Sequence, residues 1–274
     1  MVACQDEKRR GGSIIPTWSA QNGWSCMNIA DLGVVRVVEA TRQEALALVE
    51  KAVRDGGRHY FCFCEASLLS NALRCPEVSE AIHKATATFP DGVALMMLAR
   101  LRGYRLPERL PGPSFMLWAC EYGLARGWRH FFYGGAPGVA DRLAATLSRR
   151  YPGLQVVGTF CPPFRELTAA EEDDVARRVR GADLMWIALG SPRQELWAAR
   201  HCGRFDVPVL LPVGAAFDFH SGARPWAPRW VRQMGAEWAW RTFTGGGRTF
   251  RRNLKCVSIV GVHLLKEVLR PRRD

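Results

Sequence analysis

The sequence predicts an α/β protein: a Rossmann-like doubly wound parallel sheet followed by a helical, basic C-terminal appendage. Three observations carry that expectation. Short β-branched or aromatic runs alternate with helical patterns through residues 28–225, which implies parallel strands joined by crossover helices. Three of those runs end on turns rich in special residues, Gly134-Gly135, Gly190-Ser191-Pro192 and Gly214, and in such sheets ligands gather off the carboxyl ends of the strands. From Trp226 the texture changes to Trp- and Arg-rich helix.

Taken in order, residues 1–27 are polar, aperiodic and Gly-containing, and are expected to form a flexible tail. Residues 34–38 read as a strand. Thr41 and Glu44 then form a capping box ahead of the apolar positions Ala45, Leu48, Val49 and Ala52. A strand over 59–64 precedes helical stretches around 68–73 and 77–85. Residues 129–133 form a strand and 139–149 a helix. A further strand covers 154–160, and Thr168 with Glu171 caps the helix after it. Residues 184–189 are a nearly continuous apolar strand. Ser191 as N-cap, Pro192 at the first helical position and Gln194 three residues on then open another helix. Residues 207–213 are the last strand. The expected division is a tail over 1–27, an α/β domain over 28–225 and the appendage over 226–274.

Hydrophobic content of 48% and charged content of 23% exclude a disordered chain. The net charge of +12 is uneven, because 12 basic and 3 acidic residues from 222 to 274 carry +9 of it. That segment calls for a polyanionic partner: nucleic acid, anionic lipid or a phosphorylated substrate. Nine cysteines are scattered without a C-x-x-C, and Cys62, Cys64, Cys120 and Cys256 sit in apolar runs. Reduced, packed thiols are expected rather than a disulfide framework or zinc site. No apolar run follows the basic residues 8–10, and no stretch approaches the ~20 apolar residues of a spanning helix. The expected location is the cytoplasm, with peripheral attachment to the inner face of the cytoplasmic membrane.

Several residues are placed to do chemistry. The turn over 133–138, with Gly134 and Gly135, is either a phosphate cradle or a bare tight turn. The cap reading of Ser191 and Pro192 leaves Arg193 and Glu195 without a structural role. Asp91 lies in Phe89-Pro90-Asp91-Gly92, a tight turn between two helical segments. It is either a turn aspartate bonded to its own backbone or a general base. No Asp-x-Asp clasp occurs, and Glu171 with Asp173 falls in a first helical turn, where acids favour the dipole. No metal or cofactor is therefore expected. Arg241, Arg248, Arg251 and Arg252 are available to neutralise an anionic leaving group. From 250 to 268, Phe250, Leu254, Val257, Gly261, Leu264, Leu265 and Val268 trace one helical face, with Arg251, Lys255, Lys266 and Arg270 elsewhere. Flanked by Trp238, Trp240, Arg272 and Arg273, this stripe suits a membrane interface, with core packing as the other reading.

These pieces, in this order, resemble the WecG/TagA/CpsF family of glycosyltransferases from about residue 27 to residue 252. The resemblance rests on Pro90-Asp91-Gly92, the turn over 132–138, Tyr151-Pro152-Gly153-Leu154 and the stretch over 190–195. Val213-Gly214 with Phe217-Asp218, Ala227-Pro228, and Glu237-Trp238 leading to Arg241 and Arg248 complete it. It implies inverting, metal-independent transfer from a UDP-sugar, of the UDP-hexose or UDP-N-acetylmannosamine type, to a polyprenyl-pyrophosphate-linked sugar. The setting would be exopolysaccharide, capsule or cell-wall glycopolymer synthesis. Asp91 would be the catalytic base, and Gln194 and Asp218 would lie in the substrate pocket. Arg241, Arg248 and Arg251 would sit on an appendage that closes over the site and meets an anionic membrane. Arg109 and Gly112 match the Arg-x-x-Gly motif after the catalytic turn. Glu65, Gly134, Gly135, Gly190, Ser191 and Gly214 complete the expected substrate-binding set. The chain departs from the family at Phe63 and Glu65, where Thr-x-Asn is usual, at Trp226 for arginine and at Gly247 for proline. If the first pair touches the sugar, a neutral hexose donor such as UDP-glucose is expected. Otherwise Phe63 packs in the core and Glu65 meets solvent or an arginine. The competing readings are a basic nucleic-acid-binding module without catalysis and a transferase with a soluble acceptor. Nucleic acid is not the expected partner, and a homo-oligomer is left open.

Overall fold

The computed structural model describes residues 28–269. The predicted tail, Arg270, Arg272 and Arg273, and the side chains of Arg248 and Arg252 lie outside the described residues. A short antiparallel hairpin comes first, β1 (Ile29–Asp31) and β2 (Arg36–Val38). Next come α1 (Arg42–Arg54), β3 (His59–Cys64), α2 (Ala66–Ala72), α3 (Pro76–His83), β4 (Ala87–Pro90), α4 (Val93–Leu101) and α5 (Gly112–Leu124). The second half runs β5 (Arg129–Gly134), α6 (Val139–Arg150), β6 (Gln155–Phe160), α7 (Ala169–Arg178), β7 (Leu184–Ala188), α8 (Arg193–His201) and β8 (Val209–Pro212). It closes with α9 (Ala216–His220), α10 (Arg229–Gln233), α11 (Glu237–Thr244) and α12 (Gly246–Val268).

Six strands form one sheet in the order β4-β3-β8-β7-β5-β6, and every pairing is parallel. The expected doubly wound α/β architecture is present. Both faces are covered, so successive strand residues enter different cores. Phe61 and Phe63 of β3, Trp186 of β7 and Leu211 of β8 join the core under α1, α5 and α6. Tyr60 and Cys62, Met185 and Ile187, and Leu210 join the opposite core with α7 and α8. This two-sided burial explains the nearly unbroken apolar runs. The most deeply buried polar intrusion in the strands is His130, whose Nδ1 accepts from Trp186 Nε1 at 3.0 Å and whose pKa burial lowers to about 4.

Both Thr-Glu capping boxes form as expected, at Thr41 with Glu44 and at Thr168 with Glu171. Glu171 also pairs with Arg165, so its position is accounted for by the cap. Other elements differ from expectation. The first strand lies in the separate hairpin rather than the main sheet, turned at Gly33 with φ of +80°. Residues 87–90 form the edge strand β4, which four residues ending in proline do not advertise. Helix α5 is apolar on nearly all sides, so it lacks an amphipathic period. At 190–195 no capping box forms. Pro192 takes the N-cap position, α8 begins at Arg193, and Ser191 Oγ makes no cap bond.

The predicted stripe of α12 divides. Val260, with Cys256 and Leu264, packs into the core formed by the hairpin, α2 and α4. Arg102 holds Glu267 through two hydrogen bonds of 2.9 and 2.8 Å, fastening the far end of the helix. Phe250, Leu254, Val257, Leu265 and Val268 stay exposed, as do Trp238 and Phe243 on α11.

The turn after β5 tests how tightly the sheet is built. Gly134 has φ of +110°, and a Cβ there would lie 2.4 Å from the Ala188 carbonyl oxygen. Gly153 has φ of +92° with open space around it. Gly153→Ala should therefore cost only the backbone strain, about 1–2 kcal/mol. Gly134→Ala adds a backbone clash and should cost clearly more, read as the difference in chemical unfolding midpoints.

Candidate active site

A cavity of about 150 Å³ opens over the carboxyl ends of β3, β4, β7 and β8. That is room for about one six-membered ring. Its wall includes Phe63 and Glu65 from β3 and the residue after it, Asp91 after β4, and Gly190, Ser191, Gln194 and Glu195 after β7. Val213 and Gly214 come from the end of β8, and Glu237 and Arg241 from α11.

Asp91 is held by contacts distant in sequence. Its own N–H and that of Gly92 donate to the Cys64 carbonyl at 3.0 and 3.4 Å, tying the turn to the end of β3. Its Oδ2 accepts from the N–H of Gly112, the first residue of α5, at 3.0 Å. The carboxylate therefore faces the positive end of a helix instead of bonding its own turn. Burial raises its pKa to about 7, with Glu65 and Glu237 adding to the rise and the Gly112 hydrogen bond and Arg241 opposing it.

Glu65 and Arg241 form an ion pair of 3.1 Å across the cavity mouth. The negative groups around Arg241, Glu65 above all, raise its pKa. Glu237, on the same helix, has its pKa raised by burial. Phe63 both lines the cavity and packs against Phe89 and Phe115, with ring centroids 5.4 and 5.1 Å away.

The cavity thus gathers Glu65, Asp91, Gly190, Ser191, Gln194, Gly214 and Arg241 from the predicted set. Other members lie elsewhere. Arg109 is not on the wall; it donates to the carbonyls of Asp91 at 3.4 Å and Arg232 at 2.6 Å. Gly134 and Gly135 pack against Ala188, Val139 and Phe217. Asp218 pairs with Arg224 at 3.4 Å outside the cavity. Arg251 is exposed on α12, and the side chain of Arg248 lies outside the described residues. Two buried or half-buried acids on the cavity wall had no assigned part, Glu237 and Glu195, the latter only 1% exposed. Burial raises the pKa of Glu195 to about 7, and the hydrogen bond from Gln194 opposes that rise. Its signal in the sequence was an acid in the first turn of a helix that follows a strand's carboxyl end, with no capping role.

The sequence profile of the glycosyl transferase WecG/TagA/CpsF family matches residues 30–274. The chain belongs to this family. It is a glycosyltransferase. Similar WecG/TagA/CpsF relatives are each named N-acetylglucosaminyldiphosphoundecaprenol N-acetyl-beta-D-mannosaminyltransferase. The protein of Bacillus spizizenii W23 is 26% identical over 198 residues, covering 72% of this chain and 75% of its own. That of Bacillus subtilis 168 is 25% identical, covering 62% and 65%. That of Staphylococcus aureus NCTC 8325 is 24% identical, covering 66% and 69%.

The raised pKa of Asp91 makes a stability prediction. A carboxyl group that holds its proton more tightly folded than unfolded favours the fold at low pH. That contribution is lost as pH rises from about 4 through about 7. Asp91→Asn keeps an acceptor for the Gly112 N–H and removes the buried charge. It should raise thermal stability at pH 8, by on the order of a few kcal/mol at most, and change it much less at pH 4. Melting curves at the two pH values check this.

Proposed function

We propose that this protein transfers a sugar from a UDP-sugar to a polyprenyl-diphosphate-linked sugar, with inversion and without a metal ion. The observation that carries the reading is Asp91, a carboxyl group held by a helix N-terminus and facing a ring-sized cavity. The names of the family relatives supply the acceptor class.

The chemistry follows from the charges. The acceptor hydroxyl oxygen attacks the anomeric carbon from the side opposite the leaving diphosphate. The C–O bond to UDP breaks, its electron pair goes to the phosphate oxygen, and Asp91 takes the hydroxyl proton. A carboxylate with a pKa near 7 is well matched to that task. The leaving diphosphate needs positive charge. Arg241 already stands at the cavity, and Arg248 and Arg251 follow it in the C-terminal segment.

Membrane attachment fits the same segment. Placed on a helical wheel, exposed Phe250, Leu254, Val257, Leu265 and Val268 form a strip beside the docked face of α12, with Arg251, Lys255 and Lys266 on its far side. A strip of this kind suits insertion among anionic lipid head groups. No helix among the described residues is long and apolar enough to cross a membrane.

UDP release measured with candidate donors and a polyprenyl-diphosphate acceptor tests the reading. Asp91→Asn should lower turnover about 10²-fold or more, and EDTA should leave the rate unchanged. Near-normal turnover in folded Asp91→Asn removes the base from this account. The base must be ionised, so kcat/KM should fall about tenfold per pH unit below about pH 7. Glu65→Gln removes a like charge and should move that limb to lower pH.

The surface reading has its own test. Leu254→Asp with Leu265→Asp alters two exposed side chains, so the melting temperature should barely move. Co-sedimentation with phosphatidylglycerol vesicles should fall at least about tenfold. Unchanged sedimentation would count against α12 as the membrane contact.

A further inference from the structure

The cavity holds a second buried carboxyl group for which the proposed transfer step has no use. Glu195 is 1% exposed and its neighbour Gln194 is 5% exposed, and both lie in the first turn of α8. Gln194 Nε2 donates to Glu195 Oε1 at 2.8 Å. That bond fixes the amide, because turning it over would set the Gln194 oxygen against the carboxylate. Glu195 Oε2, Gln194 Oε1 and Ser191 Oγ are then left buried without a well-aligned hydrogen bond from the described residues, and the Ser191 hydroxyl and Glu195 N–H stand near enough to the carboxylate only to oppose its raised pKa. All three residues face the cavity.

The backbone around them keeps these acceptors accessible. Gly214, with φ of +53°, lies where a Cβ would come within 3.0 Å of Gln194 Oε1. The absent side chain leaves that oxygen clear. Buried acceptors without donors cost about 1–3 kcal/mol each, a cost that a donating ligand recovers.

The chemistry of the donor can be narrowed. The wall carries four carboxyl groups, of Glu65, Asp91, Glu195 and Glu237, and one arginine. A phosphate would bring more negative charge and no hydrogen-bond donors, and a uronate would add a fifth carboxylate to the four already there. A neutral pyranose brings several hydroxyl donors and has the size of the cavity. We propose that Glu195 and Gln194, with Ser191, form a subsite for the transferred sugar, accepting hydrogen bonds from its hydroxyl groups. This rests on the UDP-sugar reading above, and it places the sugar ring inside the cavity and the diphosphate at its mouth.

The test is calorimetric titration of UDP, UDP-glucose and UDP-N-acetylmannosamine into the wild type and Glu195→Gln. The wild type should bind at least one UDP-sugar more tightly than UDP. Glu195→Gln should weaken that sugar nucleotide about 10- to 100-fold, the scale of a hydrogen bond to a charged group, and leave UDP unchanged. An equal loss for UDP would place the uracil here and overturn the proposal. So would unchanged affinities in the folded variant, or a matching loss of Mg²⁺ or Mn²⁺ binding, which would make this a cation site. The unaltered protein answers the same question with deoxy analogues of its preferred UDP-sugar. Removal of one or two particular hydroxyls should cost about tenfold or more, and equal binding of every analogue overturns the subsite. A wild type that binds UDP but none of the UDP-sugars more tightly also overturns it. One that binds neither UDP nor any UDP-sugar removes the donor reading itself.

Discussion

The crowding of four carboxyl groups around one small cavity is the constraint on which the rest of the site depends. Two unit charges 4 Å apart interact by about 4 kcal/mol under the screening typical near a protein surface, so these groups cannot all ionise freely. Two of them, Asp91 and Glu195, have pKa values near 7. The others stay close to Arg241. That arginine comes from α11, more than a hundred residues after Asp91 and Glu65, so the charge balance of the sheet's carboxyl ends is completed by the C-terminal helices. The site is electrostatically whole only while those helices are seated.

The sheet makes such crowding tolerable. All its strands but the edge strand β6 are buried on both faces, which leaves their carboxyl ends as the place where polar groups converge. The backbone there is already engaged: Asp91 N–H binds the end of β3, and Val213 and Gly214 N–H groups bind Ile187. The side chains at these ends are therefore presented on a framework with little freedom. Helix α12 extends the same logic outward, since Val260 and the Arg102–Glu267 pair fix one face and leave the neighbouring apolar face open.

Much of this was legible in the residues because the signals are local. Thr41 with Glu44 and Thr168 with Glu171 are complete capping boxes within four positions. The apolar runs of β3 and β7 need no context to be read as buried strands. What was not legible depends on partners far along the chain. Strand β4 is four residues long and exists by pairing with β3. Helix α5 has no polar face to give it a period. The motif at 190–195 has every residue a capping box needs, yet Ser191 and Gln194 turn toward the cavity and Glu195. Arg109 stood in a recognisable motif, but only the fold reveals that it grips main chain. The stripe of α12 was one pattern in sequence and became two surfaces once α2 and α4 covered part of it.

The grip of Arg109 has a consequence of its own. Its two acceptors, at Asp91 and Arg232, are main-chain oxygens, which every amino acid supplies. The clamp between the carboxylate turn and α10 is therefore indifferent to the identity of the residues it joins. For the joint itself neither side chain matters: the residue at 91 is constrained by its carboxylate in the cavity and not by the clamp, and the clamp depends on the codon for Arg109 alone.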